Sequence, residues 1–241
     1  MAEQADLFAP GVCDAVAFVS PREDDRLGEA RERLFRSGAG ALDDGEVLAL
    51  ILSHRLRPGA DASAMADALI DRFGGLGRIV GAPQADLARV AGVDAAQELC
   101  LLHALLLAGL ERPLRRRSVL TSWDAVQTYL RARLAAEPRE GFHVLFLDKK
   151  NQLIADERMG EGTVDHAPVY PREVVRRALE LSASALVLAH NHPSGDPAPS
   201  SADVDMTRQV VEAAKALRIA VHDHLVVGAD QVVSLRQLGL M

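Results

Sequence analysis

Residues 184–207 constrain this chain more than any other stretch. They read Ser-Ala-Leu-Val-Leu-Ala-His-Asn-His-Pro-Ser-Gly-Asp-Pro-Ala-Pro-Ser-Ser-Ala-Asp-Val-Asp-Met-Thr. The run 185–189 is short, apolar and halted by turn residues, the pattern of a buried strand. His190 and His192 follow two residues apart, so on an extended backbone both imidazoles point to one side. Pro193, Gly195, Pro197 and Pro199 then bar regular structure. From Ser200 onward, Val204, Val211, Ala214 and Leu217 recur at helical spacing, which predicts a helix carrying Asp203 on its first turn.

A strand end thus supplies two imidazole nitrogens and a helix start supplies a carboxylate, across a stiff loop. Two His and one acid, with a fourth position open, form the donor set of a catalytic zinc site; structural sites close all four positions, often with Cys. Cys13 and Cys100 are remote in sequence, which favours the open type. Each half also has a plainer reading. Ser200-Ser201-Ala202-Asp203 is an acceptable capping box, and histidines at a strand end can simply be solvated. The spacing of the four residues together sets metal binding above both.

That spacing (His190, one residue, His192, seven residues, Ser200, two residues, Asp203) matches the JAMM metalloprotease motif without a gap. The longer string His-Asn-His-Pro-Ser-Gly-Asp-Pro-x-Pro-Ser resembles the RadC family, bacterial proteins with that motif. The resemblance spans nearly the whole chain and is strongest from residue 120 onward. It implies a compact α/β domain similar to that of cytidine deaminases. It also implies a zinc ion held by His190, His192 and Asp203, and a catalytic glutamate upstream of the histidines. Glu157 is the expected residue. Asp156 faces the other way on the same strand, and Glu161, which shares the parity of Glu157, stands nearest the Gly162 turn.

The implied chemistry is cleavage of a peptide or isopeptide bond: Glu157 accepts a proton from water and passes it to the leaving nitrogen. Ser200 donates a hydrogen bond to the oxyanion. A protein or peptide substrate follows. Gly160 stands where a larger apolar residue is expected and predicts an altered strand near Glu157. His166 is expected at the surface. His222 and His224, flanking Asp223, read as structural or as orienting a ligand, because no acid at a matching helix start follows them.

The rest of the chain divides around this centre. Residues 1–24 have no sustained period and read as an irregular lead-in. Residues 25–111 read as a small all-α domain, with Asp43 or Asp44 and Asp61 or Ser63 as helix caps. Within it, 83–110 resembles a helix-hairpin-helix module whose turn is Gly92-Val93-Asp94. Asp94 replaces the expected second glycine and brings negative charge to where a phosphate would sit, which argues against tight DNA binding. Residues 112–120, with Arg112, Arg115, Arg116, Arg117 and Pro113, read as a linker. From 121 to 241 the order helix, strand, strand, helix, strand, helix, strand, strand predicts a mixed sheet flanked by helices.

Composition sets the remaining limits. A net charge of −7 does not favour an extended polyanion-binding surface. Two separated cysteines imply a reducing compartment. Residues 1–10 lack the basic-then-apolar form of a secretion signal, and the apolar run 99–110 is too short to span a bilayer. The expectation is a cytoplasmic protein free of membrane, its oligomeric state open. Two rival functions remain: a DNA repair or replication accessory protein acting through the helical domain, and a non-catalytic, zinc-stabilised interaction domain.

Overall fold

The computed structural model describes residues 21–54, 60–162 and 169–241. Most of the expected lead-in, and His166, lie outside these residues. Helix α1 (Pro21–Ser37) begins before the expected start near Arg26. It is followed by α2 (Asp44–Leu52), α3 (Ala62–Phe73), α4 (Leu76–Gly81), α5 (Gln84–Ala91) and α6 (Val93–Arg116). Asp43 caps α2 in a capping box with Glu46, and Asp61 caps α3. Gly92, at φ 82°, is the single residue between α5 and α6, a left-handed backbone that favours glycine. Leu48, Leu52, Leu69, Ile79, Leu87 and Leu99 form the core of this helical half.

The expected linker is helical as far as Arg116. α6 continues through Pro113 because Leu114 is buried beneath the second half and the side chain of Arg115 bonds the carbonyl of Ile154 at 2.6 Å. Pro113 removes one intrahelical hydrogen bond, and the tertiary packing of Leu114 outweighs that breaker signal. Among the described residues α6 is also the one helix long and apolar enough to cross a membrane by length and composition. Part of that apolar content packs inward, through Ala95, Ala96, Leu99 and Leu114.

The second half consists of α7 (Trp123–Leu134), β1 (Gly141–Leu147), β2 (Leu153–Glu161), α8 (Pro171–Glu180), β3 (Ala185–Asn191), α9 (Ser201–Ala216), β4 (Ala220–Val227) and β5 (Val232–Ser234). The strands form one mixed sheet in the order β2-β1-β3-β4-β5. β3 and β4 are parallel, with α9 as the crossover; the other pairs are antiparallel. The expected α/β architecture is therefore present, preceded by the all-helical half.

β1 and β3 are buried along their whole length, as central strands covered on both faces must be. Leu145, Leu147, Val187 and Ala189 face α7. Phe142, Val144, Phe146, Leu186 and Leu188 face α8 and α9. His190 continues the second series, so the pleat directs it toward the start of α9. The β1–β2 register shifts beside Gly160: Phe142 pairs with Gly160 but His143 pairs with Arg158, leaving Met159 as a bulge. The strand irregularity expected at Gly160 is present, and it breaks the shared parity assumed for Glu157 and Glu161.

Candidate metal centre

His190 and Asn191 end β3, His192 follows, and the loop back to α9 is tightly held. Gly195 takes φ 87° and its N–H bonds the carbonyl of His192 at 2.9 Å. Its own carbonyl accepts from Ala229 at 3.0 Å. Ser200 then caps α9 through a capping box with Asp203. The plain reading of that serine and acid is thus correct, and it is compatible with the metal reading. Oδ2 of Asp203 accepts from the Ser200 amide at 2.7 Å and from its hydroxyl at 2.6 Å, while Oδ1 is turned to His190. The cap aims the carboxylate.

The donor atoms converge. Nε2 of His190 lies 2.9 Å from Nε2 of His192 and 3.3 Å from Oδ1 of Asp203; His192 Nε2 is 3.6 Å from Oδ2. One donor atom from each of the three residues lies within 4.8 Å of the others. His190 is fully buried and Asp203 is 6% exposed.

Hydrogen bonds on the far side fix the tautomers. Thr207 Oγ1 donates to the carbonyl of Asp203 at 2.5 Å, so toward Nδ1 of His224, 2.6 Å away, it must accept. Burial holds His224 neutral by pushing its pKa well below the ordinary value, and its Nε2 is then the acceptor for Nδ1–H of His190 at 2.8 Å. On the other side, Nδ1–H of His192 donates to the carbonyl of Asp196 at 2.7 Å. In their neutral forms both Nε2 atoms therefore present lone pairs to each other and to a carboxylate. Such an arrangement is repulsive unless a positive charge sits among them, and it is what a divalent cation requires.

The electrostatics agree. The hydrogen bond to Asp203 raises the pKa of His192 despite its partial burial. Burial opposes ionisation of Asp203, but hydrogen bonds from His190, His192 and Ser200 outweigh it and hold its carboxyl well below the usual range. Two imidazoles and a carboxylate suit zinc, manganese or iron.

Glu157 is engaged elsewhere. It pairs with Val144 on β1, and its carboxylate takes a two-pronged ion pair from Arg177 of α8 at 2.6 and 2.7 Å. That pair holds its pKa below the ordinary value. Two strand spacings and two residues of rise separate it from His190, roughly 12 Å between Cα atoms. Asp156 faces the opposite side, as expected, where it binds Tyr129 at 2.6 Å and His143 at 2.9 Å.

The acid beside the triad is Glu140, which the sequence reading passed over. It stands two residues before Phe142, the register partner of His190, and is therefore level with His192. Asn191 clamps the segment: its Oδ1 accepts from the Gly141 amide at 2.8 Å and its Nδ2 donates to the carbonyls of Glu137 and Arg139. Gly162 N–H holds the Glu140 carbonyl at 2.9 Å. Glu140 is 9% exposed, its charge contributes to the raised pKa of His192, and among the described residues no hydrogen bond or ion pair reaches its carboxylate. The signal was an acid directly before a strand antiparallel to the one ending in His-x-His, legible only once that pairing is known.

Of the second His-x-His, His224 orients His190, whereas His222 turns away to Asn151 at 2.7 Å. Residues 120–240 match the family described as RadC-like JAB domain, and residues 23–99 match the one described as UPF0758 N-terminal.

Proposed function

The chain belongs to the RadC family, and on that premise we propose that it is a metal-dependent hydrolase of the JAMM type, cutting a peptide or isopeptide bond. The observation that carries this reading is the convergence of His190, His192 and Asp203 with both ring tautomers pinned from behind. Zinc is the proposed ion. When bound, it supplies Lewis acidity that makes water nucleophilic near neutral pH.

The chain's own residues do the remainder. Glu140, buried and without a hydrogen bond or ion pair to its carboxylate among the described residues, accepts a proton from the attacking water as the C–O bond forms. It delivers that proton to the nitrogen as the C–N bond breaks. Its place level with His192 suits a group that must take and release a proton there, and the Arg177 pair is what sets Glu157 aside. Ser200 holds Asp203 in place and, once the charge of Asp203 is taken up, its hydroxyl is free to donate to the oxyanion. His224 and Asp196 hold the two imidazoles aimed, each with Nε2 toward the site. A protein or peptide is the proposed substrate.

The test is hydrolysis of a peptide and isopeptide panel by the purified chain, with zinc or with chelator, for wild type, Glu140→Gln and Glu157→Gln. The proposal expects metal-dependent turnover that Glu140→Gln abolishes. Equal turnover under chelation removes the metal from the chemistry; wild-type rates in Glu140→Gln remove Glu140.

A further inference from the structure

α6 is packed along one side and bare along the other. Leu101 and Leu105 are 65% and 71% exposed, although they lie in the middle of a 24-residue helix. They belong to a single stripe: Asp94, Glu98, Leu101, Leu105, Ala108 and Arg112. The steps along it alternate four and three residues, the 3.5-residue repeat that keeps one seam of a helix against a partner helix. The repeat gives the bare face a geometry as well as an apolar character.

The order of chemistry along the stripe identifies the partner. Acid stands at its N-terminal end, leucine at its centre and arginine at its C-terminal end. Turned end for end against itself, such a stripe is self-complementary. Leu101 lies against Leu105 of a second copy, Ala108 against its Glu98 and Arg112 against its Asp94, each contact repeated by the two-fold axis. A parallel pairing would set Asp94 on Asp94 and Arg112 on Arg112. Asp94 and Arg112 are both exposed and, among the described residues, neither has an ion-pair partner. Glu98 is already engaged within its own chain and is not needed for the pairing.

We propose that α6 is the seam of an antiparallel homodimer, with the leucines at its centre and the Asp94–Arg112 pairs at its two ends. The oppositely directed helix dipoles add to the charge match. A flat lipid surface fits the stripe less well, because it would set Asp94 and Glu98 against an apolar phase without a counter-charge.

Light scattering on the size-separated full chain, over a concentration series, tests this. The expected mass is twice the chain's 25.9 kDa, falling to the single value in Leu105→Glu with helicity and metal uptake retained. Arg112→Asp weakens association by roughly tenfold, and the double variant Asp94→Arg with Arg112→Asp restores it, a rescue that only antiparallel pairing gives. A wild-type monomer at every concentration overturns the proposal. So does a dimer indifferent to Leu105→Glu, or a charge swap without rescue.

Discussion

His190 Nδ1 lies 2.8 Å from Nε2 of His224, and this hydrogen bond decides which nitrogen of His190 is left to face Asp203. The chain of constraint starts at a backbone carbonyl of α9 and passes through Thr207 and His224 to the site. His224→Ala removes the acceptor and lets the ring of His190 turn or change tautomer. Metal affinity is expected to fall by roughly 10- to 100-fold, measured by competition with a chromophoric chelator. His224→Gln, which offers an acceptor to His190 and a donor to Thr207, recovers part of it.

Glu140 and Glu157 separate by their partners. Glu140→Gln is expected to lower kcat/KM by about 10²- to 10⁴-fold while metal content stays that of wild type. Glu157→Gln loses the Arg177 pair, which is partly exposed, and so destabilises by no more than about 1 kcal/mol. Thermal unfolding and steady-state rates on the two variants distinguish the roles. A larger rate loss in Glu157→Gln would reverse the assignment.

The Asp156 carboxylate is nearly enclosed and serves Tyr129, His143 and Arg133 together. Burial opposes its ionisation, but hydrogen bonds from His143 and Tyr129 outweigh it and depress its pKa below the ordinary carboxylate value. A depressed acid stabilises the folded state above its unfolded pKa, and that stability is lost as pH falls through the folded value. Asp156→Asn is therefore expected to cost about 2–4 kcal/mol at neutral pH. Denaturant midpoints of the two proteins should converge as the pH falls below about 4. An unchanged gap at low pH would contradict this.

Gly228 sits under the metal loop, where a Cβ would meet the Gly195 carbonyl at 2.5 Å and Cδ of Pro197 at 2.8 Å. Gly228→Ala is expected to destabilise by about 1–3 kcal/mol and to weaken metal binding, because the loop that fixes His192 must shift. Calorimetric unfolding with and without zinc reads both effects.

What was legible in the sequence is what is local. The triad spans fourteen residues from His190 to Asp203, and a strand end, a proline-rich loop and a capped helix suffice to predict how its members meet. Glu140 is non-local: it enters the site only because β1 runs antiparallel to β3 with Phe142 opposite His190. The place of Glu157 upstream of the motif is legible in the sequence, whereas the bulge at Met159 and the reach of Arg177 to its carboxylate are not written in its neighbours. Residues 112–116 misled for a related reason. Three arginines and a proline look like a linker, but the burial of Leu114 under the second half keeps them helical. The mixed sheet was predictable from element order, since a buried apolar strand followed by a helix and another strand has few ways to pack.

The most direct test of the central claim is metal stoichiometry by elemental analysis after loading with zinc and exhaustive dialysis. The wild-type chain and Glu140→Gln should each retain one ion per chain, and His190→Ala combined with His192→Ala should retain none. A wild type that takes up no divalent metal, or a double variant that keeps a full equivalent, would contradict the account.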